Sequence, residues 1–277
     1  MFASSNGHIA AMASRDSARA REMLAPYPGA RVADSYESVL SDPQVDAVYI
    51  PLPNGLHKDW TLRALEAGKH VLCEKPLAVD AREAAEMAAA AERAGLHLME
   101  AFMYRFHPAM REFVEAIREP LHVEAAFGFR LQDRDDIRMH AALGGGARLD
   151  VGSYTVSVSR WILGEPVDVS ARARFDNDVD VTTTAMLRFA DGATASLWAS
   201  FESPEAQDLK VVTRRGVLRR AHPFTSYRDP HDPYQLMVES FADCVLHDRP
   251  VEIPPSESIA NMRVLDQIRE AAKDAGR

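Results

Sequence analysis

The chain carries only two cysteines in 277 residues, Cys73 and Cys244, too few for a disulfide framework. Cys73 lies inside an apolar run and reads as a small buried hydrophobe, so a reducing, cytoplasmic setting is expected. No apolar run nears the roughly 18 residues of a membrane-spanning helix, and the N-terminus shows no signal-peptide pattern. Positive charge is in deficit: 32 Lys and Arg stand against 41 Asp and Glu, a net −9. That balance leaves no electrostatic footprint for nucleic acid or an anionic membrane. The ten histidines show no metal-ligand spacing with cysteine or carboxylate partners, so no catalytic metal is expected. Repeats, low-complexity tracts and flexible linkers are missing as well. One absence matters most. A dinucleotide-binding βαβ unit begins with a strand followed by Gly-x-Gly-x-x-Gly, and the chain has none. Its only glycine cluster, Gly144-Gly145-Gly146, lies far downstream.

What is present divides at about residue 101. Before it, short strand-like runs alternate with helix-like ones. Ile9–Ala13, Ala47–Ile50, the run around Val71 and Leu96–Met99 read as strands. Helices are expected from Asp16 to about Leu24, over Ser35–Leu40 and His57–Ala67, and from Asp80 to Gly95. That alternation implies a parallel, doubly wound sheet. In the usual 3-2-1-4-5-6 strand order, the missing first strand sits between strands 2 and 4. The sheet is therefore expected to be cut through its middle, with parallel edges exposed on both sides. The natural polypeptide is expected to begin upstream by roughly the length of one βα unit, about thirty residues. After residue 101 the segments lengthen and alternate with period 2: Val123–Leu131, Val167–Phe175, Thr182–Phe189, Thr194–Phe201, Leu209–Thr213 and Val217–Arg220. They read as a mostly antiparallel sheet with one exposed face. Tyr234–Leu246 and Ser256–Ala272 close the chain as helices.

Glu74-Lys75-Pro76-Leu77 ends an apolar run bounded by Gly68 and Pro76. Ligands of open α/β sheets sit at the carboxyl ends of strands, so Lys75 is placed to face one. By itself it is equally a snorkelling surface lysine. The surrounding motifs decide between the two. They run Ala13-Ser14-Arg15-Asp16, then Tyr49-Ile50-Pro51-Leu52-Pro53-Asn54 with His57, then Glu74-Lys75-Pro76-Leu77. Glu100-Ala101-Phe102-Met103-Tyr104-Arg105-Phe106-His107-Pro108 and Gly144-Gly145-Gly146-Ala147-Arg148-Leu149-Asp150-Val151-Gly152-Ser153-Tyr154 follow. In that order they resemble the Gfo/Idh/MocA oxidoreductases, in the branch of the dihydrodiol and NADP-dependent xylose dehydrogenases. The resemblance covers nearly the whole chain. It implies an N-terminally truncated Rossmann-type domain over 1–101 and a substrate and dimerisation α+β domain over 102–277.

The resemblance also implies the chemistry. Lys75 would meet Tyr154 at the nicotinamide, with Asp150 orienting the substrate. Asp150 and Tyr154 are spaced i, i+4 and share a face on a helix; Asp150 is also suited to cap the helix start after the glycines. Taking a hydroxyl proton while hydride leaves needs a base, and a phenol with a pKa near 10 is a weak one. An ammonium about 4 Å away contributes roughly 4 kcal/mol at an effective dielectric of about 20, so Lys75 is expected to lower the phenol. Ser14 and Arg15 stand where an acidic residue would bind the ribose of NAD; a hydroxyl and an arginine favour the 2′-phosphate of NADP, with NAD still possible. Pro51, Leu52, Pro53, Asn54, His57, Glu74 and Pro76 complete the expected cofactor contacts. Arg130, Arg138, Arg105 and His107 are further candidates for the cleft, the last two equally for interdomain pairing. The expected function is hydride transfer between NADP and a carbon bearing a hydroxyl in a sugar, polyol or dihydrodiol, by a homodimer or higher homo-oligomer. The alternative is an impaired remnant, or a sugar- or nucleotide-binding protein on the same scaffold.

Overall fold

The computed structural model describes residues 4–224 and 230–274. The first part of the chain runs β1 (Ala11–Met12), α1 (Ser17–Leu24), β2 (Arg31–Val32), α2 (Tyr36–Leu40), β3 (Ala47–Ile50), α3 (His57–Glu66), β4 (His70–Cys73), α4 (Ala81–Ala94) and β5 (Leu98–Glu100). Local chemistry sets most of these boundaries. Asp16 caps α1 by accepting from the N–H groups of Ala18 and Arg19. Ser35 and Ser38 close a reciprocal capping box on α2. Asp80 accepts from the Glu83 N–H at 2.8 Å, and Gly95 ends α4 in the left-handed region at φ 66°.

All strand pairs in this part are parallel, but they form two sheets. β1 pairs with β2, while β3, β4 and β5 form a separate three-stranded sheet. The expected interruption beside the first strand is therefore present, and among the described residues no strand bridges it. The three-stranded piece is the better built one. β4, with Val71, Leu72 and Cys73 buried, is its centre, as fits an apolar strand covered on both faces.

The second part runs α5 (Pro108–Ala116), β6 (Pro120–Arg130), α6 (Ala147–Asp150), α7 (Gly152–Leu163), β7 (Pro166–Asp176), β8 (Val179–Phe189), β9 (Thr194–Ser200), β10 (Glu202–Thr213), β11 (Gly216–Ala221), α8 (Pro233–His247) and α9 (Pro255–Asp274). Its six-stranded sheet has the order β11-β10-β6-β9-β8-β7 and is antiparallel except for the β6–β9 pair. Along β8, buried Thr183, Ala185, Leu187 and Phe189 alternate with exposed Thr184, Met186 and Arg188. That period-2 pattern leaves one face on the core and one open.

The two parts do not keep separate cores. One apolar cluster runs from Val45 and Val48 through Tyr104 and Leu209 to Ala272. Helix α9 carries that continuity, since it packs on α4 and β5 of the first part and on α7 and β7 of the second. A hydrogen bond from the Ala81 N–H to Asp266 Oδ2 (2.9 Å) ties the start of α4 to it.

Candidate active site

Lys75 follows β4 directly, and its ammonium crosses to the glycine-rich segment before α7. Its Nζ donates to Asp150 Oδ1 at 2.7 Å and to the Asp150 carbonyl at 3.0 Å. The other Asp150 oxygen, Oδ2, accepts from Arg138 Nε at 2.9 Å. Arg138 is itself held by the Asp136 carboxylate. Asp150 thus sits between two cations. Burial opposes its ionisation, but Lys75 and then Arg138 outweigh burial and hold the carboxyl below its ordinary value.

Asp150 is not the cap of the helix that bears Tyr154, contrary to the sequence expectation. It ends the short α6, and α7 starts afresh at Gly152 after Val151. The cap at the start of α6 comes from elsewhere: Asp180 on β8 accepts from the Arg148 N–H at 2.7 Å. Gly146, at φ 117°, lets that carboxylate in, because a Cβ there would fall within van der Waals contact of it. Gly145 does the same for the Arg138 carbonyl, which accepts from the Gly146 N–H at 3.0 Å. The glycine cluster therefore packs the loop of Arg138 against the start of α6.

The Tyr154 ring is fixed by four others. Phe102, Tyr104, Phe127 and Phe224 all have centroids within 5.4–5.6 Å of it. Lys75 Nζ stands 5.0 Å from its centroid, over the ring. Lys75 does not lower this phenol here. Burial first, then the Glu74 carboxylate, push Tyr154 well above its ordinary value. The reason is geometric: Asp150 already takes the ammonium's charge. Glu74, for its part, accepts a hydrogen bond from the Tyr49 hydroxyl. Burial and Glu74 also raise Tyr49, and raise Tyr234 to about 12. Three protonated phenols thus surround one carboxylate.

Glu74, Lys75, Arg138, Asp150, Tyr154 and Tyr234 line a cleft of about 370 Å³ at the carboxyl ends of β3 and β4. Of the expected residues, Pro51, Leu52, Asn54, Glu74, Lys75, Asp150 and Tyr154 line it; Pro53, Pro76, His57, Ser14 and Arg15 do not. His57 is fully buried beneath the loops, with both ring nitrogens engaged by backbone carbonyls. The ring is therefore placed behind the cleft rather than in it. Pro76 and Pro53 shape the loops through their own carbonyls, which take His57 Nδ1 and the Leu56 N–H. The Asn54 amide donates to the Gly144 carbonyl at 2.8 Å and joins the two walls. Ser14 Oγ accepts from the Asp16 N–H in the turn after β1, and Arg15 is exposed there.

Arg138, one of the further candidates, does reach the cleft, and its partner is Asp150. Arg130 is exposed at the end of β6, Arg105 pairs with Glu257 over the Trp161 ring, and His107 caps α5. Tyr234 and Phe129 line the cleft without having been singled out in the sequence; Phe129 follows the alternation of β6, but no local signal marks Tyr234. Among the described residues, no group of three or more His, Cys, Asp or Glu gathers as a metal site, and no helix is long and apolar enough to cross a membrane.

Residues 1–102 match the model of an oxidoreductase family with an NAD-binding Rossmann fold, and residues 108–219 match the GFO/IDH/MocA C-terminal domain. The chain is 40% identical to D-xylose 1-dehydrogenase (NADP(+)) 2 of Haloferax volcanii over 295 aligned positions, 97% of this chain and 91% of that one. Among solved structures it is similar to an aldose-aldose oxidoreductase from Caulobacter crescentus complexed with glycerol. That match has a TM-score of 0.88 and 26% identity, over 97% of this chain and 90% of the other. It is also similar to a 3-ketoreductase from Actinomadura kijaniata in complex with NADP and TDP-benzene, with a TM-score of 0.87 and 33% identity over 95% and 89% of the two chains.

Proposed function

We propose, because this chain belongs to the Gfo/Idh/MocA oxidoreductase family, that it moves a hydride between NADP and a hydroxyl-bearing carbon of a sugar or cyclic diol. One observation carries the reading: Lys75 meets Asp150 and Tyr154, some 75 residues further along the chain, in one cleft at the carboxyl ends of parallel strands. Pro51, Leu52, Asn54 and Lys75 fit the nicotinamide half of the cofactor, and Ser14 with Arg15 follows the strand end suited to the 2′-phosphate. The sequence holds no Gly-x-Gly-x-x-Gly turn for the pyrophosphate. When bound, the nicotinamide supplies or accepts the hydride.

The chain's own groups handle the proton. Tyr154 keeps its hydroxyl hydrogen at neutral pH, since burial and Glu74 both favour the neutral phenol. It is therefore set to donate to a carbonyl oxygen during reduction and to receive the proton back during oxidation. Two of the three Lys75 N–H donors are given to Asp150, which leaves one for a substrate oxygen. Asp150, kept ionised by Lys75 and Arg138, orients the ammonium and accepts from a neighbouring substrate hydroxyl.

The open face of the six-stranded sheet, with exposed Met186 and half-exposed Trp198, is read as the surface through which two copies associate. The free, buried thiols of Cys73 and Cys244 support a cytoplasmic setting. The test is turnover by the purified chain with NADP and a panel of aldoses and cyclic diols, followed by nicotinamide absorbance. Tyr154→Phe is expected to lower kcat by about a hundredfold or more while NADPH still binds. Wild-type kcat in Tyr154→Phe would overturn the proton role, and absence of NADPH binding by the wild type would overturn the dehydrogenase reading.

A further inference from the structure

The loops after β3 and β4 form one wall of the cleft, yet the backbone ladder stops before they reach it. The last tie between them is the Glu74 N–H to the Ile50 carbonyl at 3.1 Å. Beyond that point the first loop reads Pro51-Leu52-Pro53 and the second Lys75-Pro76. Proline has no N–H to give, and the Lys75 N–H is turned to the Glu74 carboxylate at 3.2 Å. The Leu52 and Pro76 carbonyls therefore lack ladder donors, in a place where a buried carbonyl needs one.

His57 meets both. Its ring is fully buried, with Nδ1 2.9 Å from the Pro76 carbonyl and Nε2 2.8 Å from the Leu52 carbonyl. An imidazole presents polar atoms on opposite sides of a flat ring, so it can span two acceptors that a hydroxyl could not. Burial lowers the His57 pKa, so the ring is neutral and donates to one of the two carbonyls at a time. Pro76 is bonded directly to Lys75, so holding its carbonyl fixes the backbone from which the ammonium reaches. On the far side of the same turn, the Leu77 N–H donates to Glu100 Oε1 at 2.8 Å. The turn carrying Lys75 is gripped from two sides.

We propose that His57 is a positioning residue: by bridging the Leu52 and Pro76 carbonyls it sets where the Lys75 ammonium stands relative to Asp150 and Tyr154. The inference rests on Lys75 being the cation of the proposed site, but its test needs no turnover. Lysine acetylation by acetic anhydride, read by peptide mass spectrometry, reports how well Lys75 is held. Lys69 is an internal reference on the other end of β4, buried and tied to the Asp42 and Val45 carbonyls. In His57→Phe, Lys75 is expected to label about fivefold faster, the population released when one net hydrogen bond is lost, with Lys69 unchanged. His57→Gln, whose amide still donates, is expected to restore Lys75 toward the wild-type rate. If His57→Phe fails to fold, His57→Leu, which likewise has no donor, serves in its place with the same expected direction. Where the wild type turns over, His57→Phe lowers kcat more than it raises KM. An unchanged Lys75 rate overturns the proposal, and so does Lys69 accelerating in step, which would mean general loosening. Failure of the wild type to turn over any substrate counts against the proposed function alone.

Discussion

Replacing Glu100 with glutamine should change how stability depends on pH. Glu100 ends β5 with 1% of its surface exposed, and Oε1 accepts from the Leu77 N–H. Burial raises its pKa from an ordinary 4.5 to about 7, against the pull of Ser258, the Leu77 N–H and Arg105. A carboxyl raised by folding favours the folded state while protonated. Its stabilisation is complete below about 4.5 and is lost as pH rises through about 7. The difference between 4.5 and about 7, at 1.36 kcal/mol per pH unit, makes ionised Glu100 cost about 3 kcal/mol. Glutamine keeps the acceptor for Leu77 and carries no charge at any pH. Relative to wild type, Glu100→Gln should therefore gain about 3 kcal/mol between pH 4 and pH 8. For a chain of this length that is about 6 °C in Tm, at about 2 °C per kcal/mol. Thermal unfolding of both proteins across that range measures it, and groups common to both cancel in the difference. A wild-type-to-variant gap that stays constant with pH would refute the buried, titrating carboxyl.

Three further outcomes are expected. Arg138→Met removes one of the two cations on Asp150, so burial is less opposed and its carboxyl ionises at higher pH; the acid limb of the kcat–pH profile should move upward, and an unmoved limb would disconnect Arg138 from Asp150. Gly146→Ala combines a left-handed backbone with a clash against Asp180 and should cost about 1–3 kcal/mol, seen as a lower Tm by circular dichroism. Met186→Asp places a charge on the open sheet face proposed to join two copies and is expected to lower the mass seen by light scattering to that of one chain; an unchanged multimeric mass would move the proposed association surface elsewhere.

The parts of the site legible in the sequence were those with local signatures. A lysine between an apolar run and a proline announces a strand end, and Lys75 is there. The helices announced themselves through Asp16, Ser35, Asp80 and Gly95, and the long sheet through its alternation. The division of the parallel strands into the β1–β2 pair and the β3–β4–β5 sheet matches the interruption expected from the sequence. Asp150 and Tyr154 were reachable through the order of motifs, but their relationship was not. The i, i+4 spacing suggested one continuous helix, whereas Val151 breaks it, and the cap that spacing assigned to Asp150 belongs to Asp180 on β8.

The remaining decisions are made through space. Tyr154 looked like a phenol softened by Lys75, and its pKa is raised instead, because Asp150 holds that ammonium and Glu74 stands nearby. His57 lies in a loop motif beside the cleft, yet it is buried beneath it between two carbonyls that the neighbouring prolines leave without donors. Glu100 reads as a charged residue at a domain junction, and only its burial moves it to about 7. Sequence alone determined which groups are available, because propensity, capping and strand ends act over a few residues. The tertiary structure decided which of them are charged, paired or hidden, because Coulomb interaction and desolvation depend on neighbours that β4, α6, α7 and β8 bring together from distant parts of the chain.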